Sequence, residues 1–183
     1  AELQEPFKRL FTQGMIRLGG SKMAKSKGNL VAPEEILDNQ GADALRLAQL
    51  GLKPPQDDVD WEDVSIDGAF RFLTRVWRLS LSASEIGSIE SRPPTEADQQ
   101  IEKLRHRLID AVTQDFERWS YNTAVAKLMG FLNELYRYVQ APGGAAESTL
   151  ADAVDTLLLL LAPATPHITA ELWSLRHLSL IHI

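Results

Sequence analysis

Apolar side chains recur at intervals of three and four residues along most of this chain, and that spacing is the strongest constraint on its fold. One stripe consists of Phe70, Leu73, Trp77 and Leu81. Two more consist of Ile101, Leu104, Leu108 and Val112, and of Val125, Leu128, Leu132, Leu135 and Val139. Side chains with this spacing lie on one face of an α-helix. The pattern therefore predicts long helices that bury one face each.

Helix-boundary signals divide the chain further. Pro33-Glu34-Glu35 predicts a helix start, Thr95-x-x-Asp98 a capping box, and Thr165-Pro166 a start with threonine as the cap. Residues 54–61 read as an irregular acidic loop and residues 85–94 as a linker. Leucine and alanine (27 and 20 residues) outnumber valine and isoleucine (8 and 10), which favours helix over strand. We predict a mainly α protein, a bundle of helices joined by short loops.

Composition excludes several classes of protein. The chain of 183 residues contains no cysteine, so disulfide scaffolds, thiolate metal sites and cysteine nucleophiles are excluded. No apolar run reaches the roughly 18 residues of a membrane span, and no secretory leader is visible. We expect a soluble, cytoplasmic protein without membrane contact. Because the sequence begins with Ala1 rather than methionine, we also expect a fragment.

Positive charge is concentrated near the start of this acidic chain, whose net charge is −6. The stretch from Pro6 to Pro33 contains no acidic residue and six cations: Lys8, Arg9, Arg17, Lys22, Lys25 and Lys27. Such a run is either a solvated face or an anion-binding segment. Residues 10–18 are apolar enough for a helix end followed by one short strand, and residues 19–29 then form a mobile, glycine-flanked loop with three lysines.

The segment Lys22-Met23-Ala24-Lys25-Ser26-Lys27-Gly28-Asn29 has the composition of a polyphosphate site. Lysine is a flexible point charge suited to phosphate, and lysines three residues apart on a loop can converge on one polyphosphate. The segment lacks the spacing of a P-loop and of a dinucleotide fingerprint. The four histidines have no neighbours that would form a metal site, so we predict none.

This segment resembles the Lys-Met-Ser-Lys-Ser signature loop of class I aminoacyl-tRNA synthetases, with Ala24 in place of the first serine. The flanking sequence resembles leucyl-tRNA synthetases in particular. The similar stretches are Glu5 to Met15, Gly41 to Leu47, Pro54-Pro55 with Trp61, and Arg71 to Trp77. Asn122-Thr123-Ala124 and Ala162 to Trp173 are similar to the helical anticodon-binding domain of this class.

The resemblance implies a fold, an activity and a site. The fold is a helical bundle of the class I anticodon-binding type, preceded by the end of an α/β nucleotide-binding catalytic domain. The activity is ATP-dependent activation of leucine and its transfer to tRNA(Leu), with Mg²⁺ accompanying ATP, in a monomer. Lys22 and Lys25 would be the catalytic residues, and Lys22, Met23, Lys25 and Ser26 would contact ATP.

The same resemblance predicts a division into residues 1–62, the end of the catalytic domain, residues 63–174, the helical domain, and residues 175–183, an atypical tail. The family's His-Ile-Gly-His signature is absent, so we expect this chain alone to be inactive. Two alternatives stay open. One is a free-standing helical module that binds tRNA or another RNA, and the other is a sister synthetase for valine, isoleucine or methionine.

Other functional-looking residues have simpler interpretations. Arg71, Arg75 and Arg78 would contact tRNA phosphate or form a solvated face, and the sequence favours neither. The four tryptophans, Trp61, Trp77, Trp119 and Trp173, are expected to be core anchors rather than platforms for nucleic-acid bases. His167 follows Pro166 in a first helical turn, where a capping or core contact is expected.

Overall fold

The computed structural model describes residues 7–85 and 93–177, and its main elements are seven helices. They are α1 (Glu34–Asn39), α2 (Ala42–Leu52), α3 (Ile66–Glu85), α4 (Glu96–Glu117), α5 (Tyr121–Gln140), α6 (Glu147–Leu161) and α7 (Pro166–His177). The predicted mainly α fold is confirmed. Most of the predicted linker at 85–94 and the end of the predicted tail lie outside the described residues. Among the described residues, no helix is both long and apolar enough to cross a membrane.

One hydrophobic core runs through the bundle. Its fully buried side chains come from several helices and include Leu47, Val76, Val112, Leu128, Leu132, Leu135, Leu157, Leu158 and Leu172. On α4 and α5 these buried residues belong to the predicted apolar stripes, and burial of their apolar area stabilises the fold. On α3 the predicted stripe is wrong in part: Leu73 is buried, but Phe70 is 44% exposed. The buried face of this helix is completed by Phe72, Val76 and Leu79 instead. Because Leu47 belongs to α2, this helix packs into the same core as α3 and α5. The predicted division at residue 62 stays a prediction.

A small sheet lies at the N-terminal side of the described chain. Its strands are β1 (Ile16–Leu18), β2 (Ser21–Lys22) and β3 (Val59–Asp60), in the order β2-β1-β3. β1 pairs antiparallel with β2 and parallel with β3. The predicted short strand is therefore present, but the predicted helix end before it is wrong, since residues 7–15 form no helix. The loop predicted at 54–61 contains β3, which is too short to produce an alternating pattern.

Two side chains of α2 contact the connection between α6 and α7 and the first turn of α7. The Arg46 guanidinium donates to the carbonyls of Ala164 (2.9 Å) and Pro163 (3.0 Å). The buried Asp43 carboxylate accepts from the Ile168 amide (2.7 Å) and contacts Nδ1 of His167 (2.9 Å). Thr165 was expected to cap α7, but its hydroxyl donates to the Leu161 carbonyl instead. An acid from another helix therefore satisfies an amide in the first turn of α7.

A buried polar cluster joins α4, α5 and the turn before α6. The predicted capping box of Thr95 and Asp98 is present. The Tyr138 hydroxyl donates to the Asp98 carboxylate and accepts from the Ala146 amide (2.8 Å). Tyr138 and Asp98 are both only 4% exposed. The Tyr138 hydroxyl bonds to Oδ1 of Asp98, while the Thr95 amide and hydroxyl donate to Oδ2, so the buried carboxylate is bonded through both oxygens. Burial, and then the hydrogen bond to Asp98, raise the pKa of Tyr138.

Replacing Tyr138 with phenylalanine is expected to lower the free energy of unfolding of this chain by about 2–3 kcal/mol, since it removes a hydrogen bond to a buried carboxylate and a second one from the Ala146 amide. Chemical denaturation at neutral pH measures this loss. Tyr136→Phe is the matched control, because the Tyr136 hydroxyl donates to a neutral acceptor, the half-buried Arg75 carbonyl. Its expected loss is about 1 kcal/mol. Equal losses in the two variants would contradict the assigned role of Asp98.

A comparison of wild type with Tyr138→Phe at different pH values tests the pKa of Tyr138. A raised pKa means that the unfolded state releases its proton first as the pH rises above the ordinary value of 10.0. The contribution of this tyrosine to stability is therefore complete below that pH and declines above it. The stability difference between wild type and Tyr138→Phe should narrow above pH 10.

Candidate functional site

The lysine-rich segment begins in a tight β-hairpin. β1 and β2 pair Arg17 with Lys22 and Leu18 with Ser21, and Gly19-Gly20 forms the turn. Both glycines have positive φ, at 60° and 71°, as a type I′ hairpin turn requires. The turn chemistry therefore places Lys22 at the end of a strand rather than in a flexible loop.

The remainder of the segment is a compact turn closed by Asn29. Lys25–Lys27 form a single 3₁₀ turn that ends at Gly28, whose φ is 65°. The Asn29 side chain accepts from the Ala24 amide (3.0 Å) and donates to the Lys22 carbonyl (3.3 Å). The Asn29 side chain therefore joins the end of the segment Lys22–Asn29 to its beginning. The predicted loop at 19–29 contains this regular structure, and the Asn29 side chain closes it through these two hydrogen bonds.

Acidic side chains contact both the turn and the first strand of the hairpin. The Glu62 carboxylate accepts from the Gly19 amide (2.8 Å), and this hydrogen bond lowers the pKa of Glu62. Arg17 forms two ion pairs: its Nε lies 3.2 Å from Oδ1 of Asp60, and its Nη1 lies 3.6 Å from Oδ2 of Asp58. These acids come from β3 and the residues around it, so their role depends on the pairing of β1 with β3. Sequence reasoning missed them because the pairing is long-range.

The loop lysines carry unpaired charge. Lys22, Lys25 and Lys27 are all exposed, and within the described residues no carboxylate lies within ion-pair distance of them. Ser26 is also exposed, whereas Met23 is half-buried. The four predicted site residues therefore share one short anchored segment. Since an anion would not compete with an internal partner there, the arrangement suits a polyphosphate. No group of three acidic or histidine side chains that could hold a metal ion occurs within residues 7–85 and 93–177.

The arginines of α3 separate into two kinds. Arg75 donates to Oδ1 of Asn133 (2.9 Å), and its guanidinium lies over the Tyr136 ring, 4.7 Å from the centroid. Arg71 and Arg78 are exposed and form no ion pair with any described residue. Arg75 is therefore part of the contact between α3 and α5, and the other two are available to an external anion.

Comparisons with known proteins identify the family of this chain. A family model described as tRNA synthetases class I (I, L, M and V) matches residues 2–62, and one described as the anticodon-binding domain of tRNA ligase matches residues 98–182. A leucine–tRNA ligase of Geotalea uraniireducens (strain Rf4) is 39% identical over 94% of this chain and 22% of that protein. The chain belongs to the leucyl-tRNA synthetase family.

One solved structure of a leucyl-tRNA synthetase supports the same assignment, and a second solved structure shares the fold. A ternary complex of Agrobacterium radiobacter K84 agnB2 LeuRS with tRNA and LeuAMS matches with a TM-score of 0.83 and 35% identity, over 94% of this chain and 23% of that one. Mycobacterium tuberculosis methionyl-tRNA synthetase, in complex with methionyl-adenylate, matches with a TM-score of 0.72 over 90% of this chain and 37% of that one. At 18% identity, the second match shows a shared fold alone.

The chain spans about a fifth of the length of the leucyl relatives that it matches. One of its two family matches covers residues 2–62, and the other begins in α4 and covers residues 98–182. The predicted family is thus confirmed, together with the predicted kinship to an anticodon-binding domain.

Proposed function

We propose that the complete protein containing this chain is a leucine–tRNA ligase. It would join leucine to ATP, release pyrophosphate, and transfer the leucyl group from the adenylate to tRNA(Leu). The observation that carries the proposal is the set of exposed, unpaired lysines in the anchored segment Lys22–Asn29 in a chain of this family. The named relatives and the adenylate analogue in a related LeuRS complex support it.

The lysine segment would act on the departing pyrophosphate. As the bond between the α- and β-phosphates breaks, negative charge accumulates on the leaving group. Cations that meet this charge stabilise the transition state more than they stabilise bound ATP, and only that difference accelerates the reaction. Lys22 and Lys25 would supply the positive charge, while Met23 and Ser26 would contact the nucleotide. Mg²⁺ would arrive with ATP as part of the substrate, because phosphate oxygens are its preferred ligands.

The activity test uses the complete protein. Exchange of pyrophosphate into ATP should depend on leucine, and valine, isoleucine and methionine at the same concentration should support much slower exchange. Purified tRNA(Leu) should then accept leucine. Faster exchange with one of the other amino acids would instead identify a sister synthetase, and absence of exchange with all four would contradict the proposal.

We further propose that the protein is a cytoplasmic monomer, which fractionation and light scattering would check.

The exposed arginines of α3 support tRNA as a partner of the helical domain. Arg71 and Arg78 lie on the outward face of α3 without an internal carboxylate partner. This observation also keeps the alternative of an RNA-binding module open, because such a module would use the same charges. Strong, salt-steep binding of tRNA by this chain, combined with no leucine-dependent exchange by the complete protein, would favour the module.

Replacing Arg71 and Arg78 with alanine should weaken tRNA binding by the complete protein. Each lost phosphate contact is expected to reduce the slope of log affinity against log salt by about 0.7 to 0.9. Filter binding at several salt concentrations measures the slope. Arg137→Ala on α5 is the control, because Arg137 is already paired with Glu134. An unchanged slope in the double variant would show that this face does not contact phosphate.

A further inference from the structure

We propose that Trp119, in the connection between α4 and α5, is a positioning residue for the lysine hairpin, by which we mean β1, β2 and the following 3₁₀ turn Lys25–Lys27. Its indole ring packs against Phe11 and thereby fixes the segment that leads into β1. The inference rests on the proposed function, since the hairpin is taken to act on ATP. It differs from that function in concerning a residue about 100 positions away in the sequence from the lysines.

The backbone of Trp119 is the first observation. Helix α4 ends with the Ser120 amide bonded to the Asp115 carbonyl (2.8 Å) and the Trp119 amide bonded to the Phe116 carbonyl (3.1 Å). This pair of hydrogen bonds defines a Schellman motif, in which the residue at the position of Trp119 adopts a left-handed conformation and is usually glycine. Trp119 has a φ of 62°, and among the described residues it is the non-glycine residue with positive φ. A bulky residue in this conformation is strained, so a compensating contact is expected.

The contacts of the ring are the second observation. The Trp119 and Phe11 ring centroids lie 4.4 Å apart with an interplanar angle of 33°, whereas the Tyr121 ring is 6.2 Å away. The residue is 41% exposed, so the expectation that it is a core anchor is wrong. Of the two aromatic contacts of the ring, the one with Phe11 is the closer, and it joins Trp119 to the segment that precedes β1.

Phe11 is connected to the lysines by a short, hydrogen-bonded route. Three residues later, the Gly14 amide donates to the Pro55 carbonyl (2.9 Å), and the Met15 amide donates to Oδ1 of Asp58 (2.9 Å). β1 starts at Ile16, and its partner β2 contains Lys22. By contrast, Phe7 and Leu10, which precede Phe11, are 77% and 84% exposed. The aromatic contact is therefore where the segment before the hairpin meets the helical bundle.

The test measures leucine-dependent exchange of pyrophosphate into ATP by the complete protein. Trp119→Gly removes the ring and leaves a residue that suits the backbone. We expect its kcat to fall between about 2- and 30-fold, with the KM for leucine unchanged, because the lysines are displaced at the transition state without loss of ground-state binding. Trp119→Phe should retain nearly full activity. Trp173→Ala is the matched control, since Trp173 is 38% exposed and stacks on His177 in α7.

Phe11→Ala provides an independent arm that leaves the α4–α5 connection intact. It should lower kcat as Trp119→Gly does. The double variant should have a kcat only slightly below that of either single variant, because both changes remove the same Phe11–Trp119 contact. Amide hydrogen exchange supplies a readout that needs no activity. Both single variants should accelerate exchange in peptides covering residues 12–25 and leave those of α6 unchanged.

Unchanged kcat and unchanged hydrogen exchange of residues 12–25 in Phe11→Ala would overturn the proposal. It would also be overturned if Trp119→Gly lost activity only together with protection throughout α4 and α5, since that result describes a structural residue of the helical hairpin. If the wild-type protein shows no leucine-dependent exchange, the proposed function fails instead. The hydrogen-exchange comparison would still decide whether Trp119 positions the hairpin.

Discussion

Lys25→Ala in the complete protein should lower the rate of leucine-dependent ATP–pyrophosphate exchange by about 100- to 1,000-fold. Lys25 is exposed, lies in the 3₁₀ turn, and has no carboxylate partner among the described residues. Its charge would therefore be fully available to the departing pyrophosphate. Because the interaction strengthens as the bond breaks, kcat should fall much more than the affinity for ATP.

Two further variants separate charge from folding in this experiment. Lys103→Ala removes an exposed lysine from α4 and should leave the exchange rate unchanged. Lys25→Arg keeps the charge with a different geometry, so partial activity is expected. If Lys25→Ala exchanges pyrophosphate at the wild-type rate, the lysine segment has no catalytic role. A rise in the KM for ATP at constant kcat would indicate that Lys25 only holds the substrate.

The helices could be predicted from the sequence because their signal is local and repeated. The stripe that begins at Phe70 predicted a helix over about residues 65–84, and α3 runs from Ile66 to Glu85. The capping box at Thr95 also needs only four consecutive residues. β3 has two residues and owes its conformation to pairing with β1, so no local pattern could reveal it.

The candidate site divides in the same way. The four predicted residues lie within five consecutive positions, from Lys22 to Ser26, and their chemistry can be predicted from residue type. The residues that hold this segment in place could not be predicted from residue type. Glu62 reaches Gly19 only because a strand from a later part of the chain pairs with β1. Asp43 caps a helix more than 120 residues away, where Thr165 was the local candidate. Local chemistry predicts what a segment can bind, whereas its supports depend on tertiary contacts.

The tryptophans show a limit of reasoning from residue type. Large aromatic residues are usually core anchors, yet Trp119 and Trp173 are 41% and 38% exposed. The sequence around Trp119 contains no glycine to indicate a left-handed position at the end of α4. Only the backbone conformation shows that a tryptophan occupies a position that glycine would fill without strain.

Gly14→Ala should reduce leucine-dependent exchange by about 100-fold, although Gly14 contacts no substrate in the proposed mechanism. A Cβ atom at this position would lie 2.1 Å from the Asp57 carbonyl oxygen and 2.3 Å from its carbon. Backbone atoms cannot move aside as a flexible side chain can, so β1 would separate from the segment that leads into β3. The Lys22–Lys27 segment follows β1 directly, and displacement of a reacting group by about 1 Å can cost about 100-fold in rate.

Gly130→Ala makes the same chemical change where it should do no harm. A Cβ atom there would meet no atom within 4 Å, and Gly130 lies inside α5, where alanine is favoured over glycine by about 1 kcal/mol. This variant should keep full activity and unfold at a slightly higher temperature. Gly14→Ala should also lose protection from hydrogen exchange in β1 while the core helices retain theirs. If Gly14→Ala exchanges pyrophosphate into ATP at the wild-type rate, the lysines do not depend on the pairing of β1 with β3. The hairpin would then be positioned by its own turn alone.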